Sequence, residues 1–377
     1  MSEDGADGPG GEPGGERGVW RSPAGALGAS FAVALLSLSL LGSVGVPYAV
    51  EAPGPVQDVL GDTAAGEPLI SVEGRETFPT EGQLDLLTVS TSGGPGRDVV
   101  LAQVLRAWLD PVQDALPVGQ VFAPDQTRED VDEARQAQMS SSQQAATAAA
   151  LRELEIPADV RLRVAGPAEE SLPAGLERGD VITALDGGDV QTADALRARL
   201  QQVPPGQVAQ VAVERGREAL VVPVATAEAE DGRTVLGVLL DPEVEVPFEV
   251  DIRIDDIGGP SAGMVFALGL VDLLTPGPLT GGLHVAGTGT VSAEGAVGPI
   301  GGVRQKLVGA ARAGAEVFLA PEANCGEVVG HVPDGLQVVA VGSLSQARSA
   351  VEALAAGDGQ NLPDCGAVVA AAAPAGG

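Results

Sequence analysis

The chain has 377 residues and 44% apolar content, which predicts two or three domains with sizeable cores. Only 2% is aromatic, so packing must rest on Val, Leu, Ala and Ile. A formal charge of −31 disfavours a nucleic-acid partner, because phosphate binding needs a cationic face, and marks a solvated acidic surface that implies no substrate preference.

Residues 1–22 are rich in Gly, Pro and Glu, a composition that predicts a disordered cytoplasmic tail. From Ser22 to Val50 no residue is charged. The run AGALGASFAVALLSLSLLGSVGV supplies the roughly 20 apolar residues that cross a bilayer, which predicts a transmembrane helix over 23–46. Arg17 and Arg21 precede it and the next basic residue is Arg75, so the N-terminus is expected inside and the remainder extracytoplasmic. A signal peptide cut near Val50-Glu51-Ala52 is the alternative to this single-pass anchor in the cytoplasmic membrane. Two cysteines, Cys325 and Cys365, fall on the exported, oxidising side, where an even count predicts a disulfide.

PLISVEG and GQLDLLTVSTSGG read as strands, followed by an apolar-periodic helix near Asp98 to Leu109; together they make a first piece over 66–112. Residues 113–155 are a helical connector rich in Ala and Gln, with little apolar stripe, that reads as a linker or mobile arm. An insert over 156–228 follows. Gly179-Asp180 starts a strand there, Asp186-Gly187-Gly188 makes a hairpin turn, and Thr192 to Gln202 reads as an amphipathic helix. Two alternating strands around Arg215-Gly216 complete it. The final large piece covers 232–356, and residues 357–377 read as a tail held by Cys365.

Two residues in that piece carry the chemistry. FEVDIRID alternates apolar and polar positions as a half-buried strand does, and a Gly258-Gly259-Pro260 turn leads to Ser261 at the start of an apolar helix. Free backbone amides at a helix N-terminus suit an oxyanion, and the N–H groups of Ser261 and Ala262 are the candidates; a plain N-cap is the bland reading of this serine. Lys306 is the one lysine in the chain, beside twenty arginines. A lone lysine among so many arginines points to a task that arginine cannot perform, such as losing a proton near neutral pH.

The blocks GGPSAG (258–263), TGTVSAEGAVGPIGG (288–302) and RQKLVGAA resemble the proteolytic domain of Lon-type serine peptidases, and within that group the membrane-anchored, PDZ-containing, Lon-like proteases of bacteria. The resemblance implies an α+β fold, with a Lon-type proteolytic domain interrupted by an inserted PDZ domain after one N-terminal transmembrane helix. It also implies Ser261 as nucleophile, Lys306 as its base and Thr288 as the residue that orients the lysine. The insert, as a PDZ domain, would take polypeptide C-termini as an added strand on the edge at Val160 to Val164, beside the Thr192 helix. A homo-oligomer is implied by analogy with ring-forming relatives.

No cofactor is expected. A P-loop needs Gly-Lys-Ser/Thr and the sole lysine is followed by Leu307, so unfolding by ATP is not encoded in these residues. Asp255 and Asp256 have no His or Cys beside them and carry no metal signature; they read as turn or cleft-mouth residues. Two other readings stay open. Gly259 to Gly263 also fits the G-x-S-x-G elbow of α/β-hydrolases, with His284 or His331 as the base. A PDZ scaffold with a degenerate protease fold is the non-enzymatic alternative.

Overall fold

The computed structural model describes residues 23–123, 126–168, 173–190, 192–229, 232–246, 248–254 and 258–372. The predicted tail at 1–22 and the pair Asp255 and Asp256 lie outside the described residues. The first piece contains α1 (Pro23–Ser43), β1 (Gly45–Val46), β2 (Tyr48–Asp58), β3 (Ile70–Glu73), β4 (Gln83–Ser92), β5 (Val99–Val100), α2 (Leu101–Leu109), β6 (Asp114–Pro117) and α3 (Val118–Val121). The long helix α4 (Arg128–Glu153) leads to the insert, which comprises β7 (Asp159–Pro167), β8 (Val181–Leu185), β9 (Gly188–Asp189), α5 (Ala193–Leu200), β10 (Val208–Arg215), β11 (Glu218–Ala225), β12 (Ala227–Glu228), β13 (Thr234–Val235) and β14 (Val238–Glu245). The last piece runs through β15 (Glu249–Ile252), α6 (Gly263–Leu274), β16 (His284–Gly287), β17 (Thr290–Val291), β18 (Val297–Gly298), α7 (Val303–Ala313), β19 (Val317–Pro321), α8 (Cys325–Val328), β20 (Gln337–Val341), α9 (Leu344–Ala355) and α10 (Cys365–Ala372).

The first and last pieces share one sheet in the order β20-β19-β16-β4-β2-β6. Strands β20, β19, β16 and β4 run parallel to one another, whereas β2 is antiparallel to both β4 and β6. Successive side chains on a strand face opposite sides, and here both sides are apolar. Leu84, Leu86, Val285, Leu319 and Val339 pack with α6 and α9, while Leu87, Ala286, Phe318 and Ala340 pack with α7. A sheet covered on both faces needs continuous apolar strands, as in VFLAP of β19, where all five residues are buried. Helix α6 lies wholly inside, with Phe266, Leu268 and Leu270 fully buried. Each such side chain contributes about 1.5–3 kcal/mol relative to exposure.

The structure revises several expectations. The sheet begins at Tyr48 rather than near residue 66, and Val50-Glu51-Ala52 sits inside β2, paired with β4 and β6. A helix does form at Pro23–Ser43. Among the described residues no helix is long and apolar enough to cross a membrane. The connector is no mobile arm. Met139, Ser142 and the run Ala146–Leu151 of α4 are buried, and Ala146, Ala149 and Ala150 pack in the same core as α6. Alanine faces let two helices approach closely without producing a strong hydropathy stripe, which is why the pattern read as a linker.

The insert is a second sheet in the order β11-β10-β8-β7-β14, with α5 packed beside it around Leu162, Ile182, Leu196 and Val211. It extends past residue 228, because β14 pairs antiparallel along the whole of β7, from Val238↔Pro167 to Glu245↔Asp159. Val160 to Val164 is therefore not an open edge; β14 covers it and is itself the edge strand. Pro242 in β14 is compatible with that place, since a strand proline lacks only the N–H that an edge can spare.

The segment after Gly357 is also more than a tail. Cys325 and Cys365 are bonded, Ala340 N–H donates to Pro363 O at 2.8 Å, and α10 packs through Val368 on the core beneath α7. The cysteines stand 40 residues apart. Closing that loop is expected to stabilise the fold by about 4 kcal/mol in the chain-entropy account. Urea unfolding with and without dithiothreitol measures this, and an unchanged midpoint would show that packing alone holds the segment.

Candidate active site

The nucleophile turn is built by a glycine and a proline acting together. Gly259 adopts φ +101°, a left-handed region that side-chain-bearing residues avoid, and Pro260 opens a single 3₁₀ turn through Ala262 that runs into α6. Pro260 has no N–H, so the first donors of this helix start are Ser261 and Ala262, the two predicted oxyanion amides. The next amide, Gly263, already donates to Pro260 O.

Lys306 comes from the opposite face of the sheet, on α7. Gly302 starts that helix with φ +67°, and a Cβ there would lie 2.6 Å from Val89 Cγ2, so only glycine fits both the backbone and the space. Asn324, itself buried, clamps the preceding turn by accepting from Ile300 N–H and donating to Ile300 O, both at 2.9 Å. Gln305 ties α7 to β6 through Asp114 at 2.6 Å. Lys306 is 2% exposed among Val303, Leu307 and Ala310, all fully buried. Removal from water disfavours the ammonium form and lowers the amine from 10.5 to about 7.

Thr288 joins the two halves. Lys306 Nζ donates to Thr288 Oγ1 at 2.9 Å, and Thr288 Oγ1 donates to Ser261 O at 3.1 Å. The neighbouring Gly289 N–H also donates to Ser261 O at 2.8 Å. The described residues include no direct hydrogen bond between the Ser261 hydroxyl and the Lys306 amine. Both nevertheless line one open cleft of about 500 Å³, together with Leu86 to Thr91 of β4, Gly258 to Ala262, and Arg135 and Met139 of α4. A neutral lysine whose N–H is engaged by Thr288 keeps its lone pair for a serine proton. Catalytic hydrogen bonds are commonly long before substrate arrives.

The other candidates lie elsewhere. His284 pairs through Nε2 with Asp85 Oδ2 at 2.6 Å. It begins the four-residue strand that ends just before Thr288, about 13 Å from it along the strand. His331 sits exposed in a loop, and neither histidine lines the cleft. Among the described residues no group of His, Cys, Asp and Glu has the arrangement of a metal site.

Sequence reading missed α4 as a cleft wall. Ser142 Oγ donates to Pro260 O at 3.1 Å, Gln143 Nε2 donates to Ile252 O at 3.0 Å, and Gly259 N–H reaches Arg135 O at 3.4 Å. Nothing local in an Ala- and Gln-rich helix signals these contacts, which span more than 100 residues.

Residues 244–351 match the family described as the Lon protease (S16) C-terminal proteolytic domain. This segment is a Lon-type proteolytic domain. Similar proteins include a Lon protease of Roseiflexus castenholzii, 34% identical over 156 residues, which cover 40% of this chain and 19% of that protein. Lon protease 1 of Sorangium cellulosum is 33% identical over 180 residues, covering 46% of this chain and 21% of that protein. The peroxisomal Lon protease homolog 2 of Caenorhabditis elegans is 34% identical over 155 residues, covering 41% and 19%. The chain thus spans about a fifth of the length of the curated relatives it matches. A PDZ domain from an SdrC-like protein of Listeria monocytogenes aligns with 18% identity and a TM-score of 0.20, over 21% of this chain and 85% of that one. In the Lon-type domain, both Ser261 and Lys306 fall within the matched residues.

Thr288→Val keeps the shape of the side chain but removes both hydrogen bonds. The variant is expected to lose on the order of 10²-fold in kcat, with KM little changed, in steady-state peptide hydrolysis. Unchanged kcat would remove Thr288 from the site.

Proposed function

We propose that the chain is a serine endopeptidase in which Ser261 attacks the peptide carbonyl and neutral Lys306 takes its proton. One observation carries this: a buried amine, lowered to about 7, is linked through a single threonine to the serine that shares its cleft. A serine hydroxyl is too weak a nucleophile without an adjacent base, and an amine with this affinity is half deprotonated at neutral pH. Lys306 later returns the proton to the leaving amine. The Ser261 and Ala262 amides hold the oxyanion, and water then hydrolyses the acyl-enzyme.

The cleft also supports a substrate pose. β16 pairs with β4 from Gln83 to Leu86, while β2 occupies the other side of β4 as far as Ser92. Beyond Leu86 the second edge of β4 faces the cleft and suits an extended substrate strand. Without a P-loop in these residues, substrates are flexible or already unfolded exported segments. The inserted domain acts as a PDZ-type receptor for polypeptide tails. A homo-oligomer, implied by the Lon-type resemblance, belongs to the same reading.

Membrane tethering belongs to the same proposal and is supported by the uncharged run from Ser22 to Val50 and by α1 itself, where Leu27, Phe31, Val33, Leu35 and Leu36 are more than half exposed. The Cys325–Cys365 disulfide favours placing the catalytic domain on the oxidising, extracytoplasmic side. The competing scaffold reading would leave a buried lysine that costs stability without a task.

A fluorophosphonate probe followed by peptide mapping tests the assignment. One label per chain at Ser261 is expected. Labelling at another serine, or none under conditions where the chain cleaves unfolded protein, would overturn it.

A further inference from the structure

Apart from the buried Lys306, the cleft that holds Ser261 is lined, among the described residues, by one charged side chain, Arg135 of α4, and by no carboxylate. Its place is fixed by the helix that carries it. Arg135, Met139 and Ser142 follow one another at spacings of four and three residues and so share a helix face. Met139 is buried in the core with α6, and Ser142 Oγ is tied to Pro260 O. That face is held on the Ser261 turn, and Arg135, one turn closer to the start of α4, stands over the cleft. Its stem fills the space beside Gly258, where a Cβ would lie 2.7 Å from Arg135 Cβ and 3.4 Å from Arg135 Cδ. Gly258 precedes Ser261 by three residues, a span of at most about 10 Å, which puts the guanidinium within reach of the substrate residues that flank the bond to be cut.

The guanidinium is exposed, and among the described residues it makes no hydrogen bond or ion pair. On a chain of net charge −31 a surface arginine has carboxylates in plenty to choose from, so an unpaired one beside the nucleophile is unused binding capacity. Arg97 and Arg128 are in the same condition. They line a second depression, of about 610 Å³, that shares Thr91 and Arg135 with the cleft and continues it past the end of β4. Asp98 and Asp132 line it too, but neither pairs with an arginine, and Asp98 packs against Gly45. Three cations against two carboxylates leave this end of the cleft locally positive. A substrate strand laid on the edge of β4 beyond Leu86 passes beside Arg135 on its way there. We propose that Arg135 is a specificity-determining residue that selects unfolded polypeptides with an Asp or Glu side chain next to the scissile bond. A guanidinium meets a carboxylate with two parallel donors, which an amide cannot match, and it repels a basic side chain at the same place. This rests on the peptidase reading above and narrows its substrate class.

The test uses the full chain and quenched fluorescent peptides of one sequence, in which Glu, Gln or Lys stands in turn at each of the three positions on either side of the cut. At one of these positions kcat/KM is expected to favour Glu over Gln at least about tenfold, through KM, and most of that preference is expected to vanish in about 0.5 M NaCl. In Arg135→Glu the order at that position is expected to reverse in favour of Lys, and in Arg135→Gln to flatten. Each ratio is taken within one enzyme, so a general loss of turnover cancels, and a merely structural role of Arg135 would leave the ratios as they were. If Arg135→Glu does not fold, the flattening in Arg135→Gln decides. A Glu-to-Gln ratio near one at every position, or a preference for Glu that survives the Arg135 variants, would overturn the proposal. Failure of the unmodified chain to cleave any of the peptides would count against the peptidase reading instead, and anisotropy of labelled Glu and Gln peptides on the Ser261→Ala chain, with and without Arg135→Gln, would then decide the selectivity by the same ratios.

Discussion

Lys306→Arg is expected to be as inactive as Ser261→Ala. Arginine preserves the positive charge and nearly the length of the side chain, so an electrostatic or structural role would survive the exchange. A base would not, because a guanidinium does not release its proton in a protein. Removing one member of such a nucleophile–base pair costs on the order of 10⁴-fold or more in kcat. Ser261→Ala, Lys306→Arg and Lys306→Met should therefore share one residual rate against an unfolded protein substrate, and the double variant should be no worse than either single one. Turnover by Lys306→Arg within about tenfold of the unmodified chain would eliminate proton abstraction by this residue.

The second large effect is on stability and has the opposite sign. Lys306 has a lower proton affinity in the folded chain than the 10.5 of an exposed lysine, so between pH 7 and 10.5 the unfolded chain binds more protons. The contribution of this group to stability is thus fully present above 10.5, falls as pH is lowered through that window, and is lost below about 7. The full span is roughly 5 kcal/mol. Lys306→Met, which fills the same buried space without a charge, is expected to be more stable than the unmodified chain at pH 7 by a few kcal/mol. The difference should shrink as the pH approaches 10. Urea midpoints at the two pH values measure it, and a variant less stable at pH 7 would show that the ammonium is solvated or paired. Gain of stability with loss of activity is the pattern expected of a strained functional group.

Some of this was legible from residues alone. Ser261 after a Gly-Gly-Pro turn and a single lysine among twenty arginines stand out because their local chemistry is unusual. Strands with continuous apolar runs, such as β19 and β20, were equally plain. The misses have physical causes. Helix α4 buries alanine, serine and threonine against α6, and small residues give little hydropathy contrast even when wholly enclosed. Strand β14 contains Asp241, Pro242 and Glu243, a stretch that reads as a loop until its pairing with β7 is seen. That pairing moved the open edge from Val160–Val164 to the far side of β14. Asn324, which fixes the turn ahead of α7, is 24 residues from Ile300 and leaves no periodic trace. Residues whose role depends on a partner distant in sequence are hidden from composition and spacing alike.

The presence of one lysine in 377 residues makes the decisive titration simple. With ¹³C-lysine incorporated into the Ser261→Ala chain, a single side-chain Cε resonance reports on Lys306. A midpoint near pH 7 is predicted, set by burial and shifted when Thr288→Val is added. A midpoint at the ordinary lysine value of about 10.5 would mean that the amine is charged at working pH, and the serine would be left without its base.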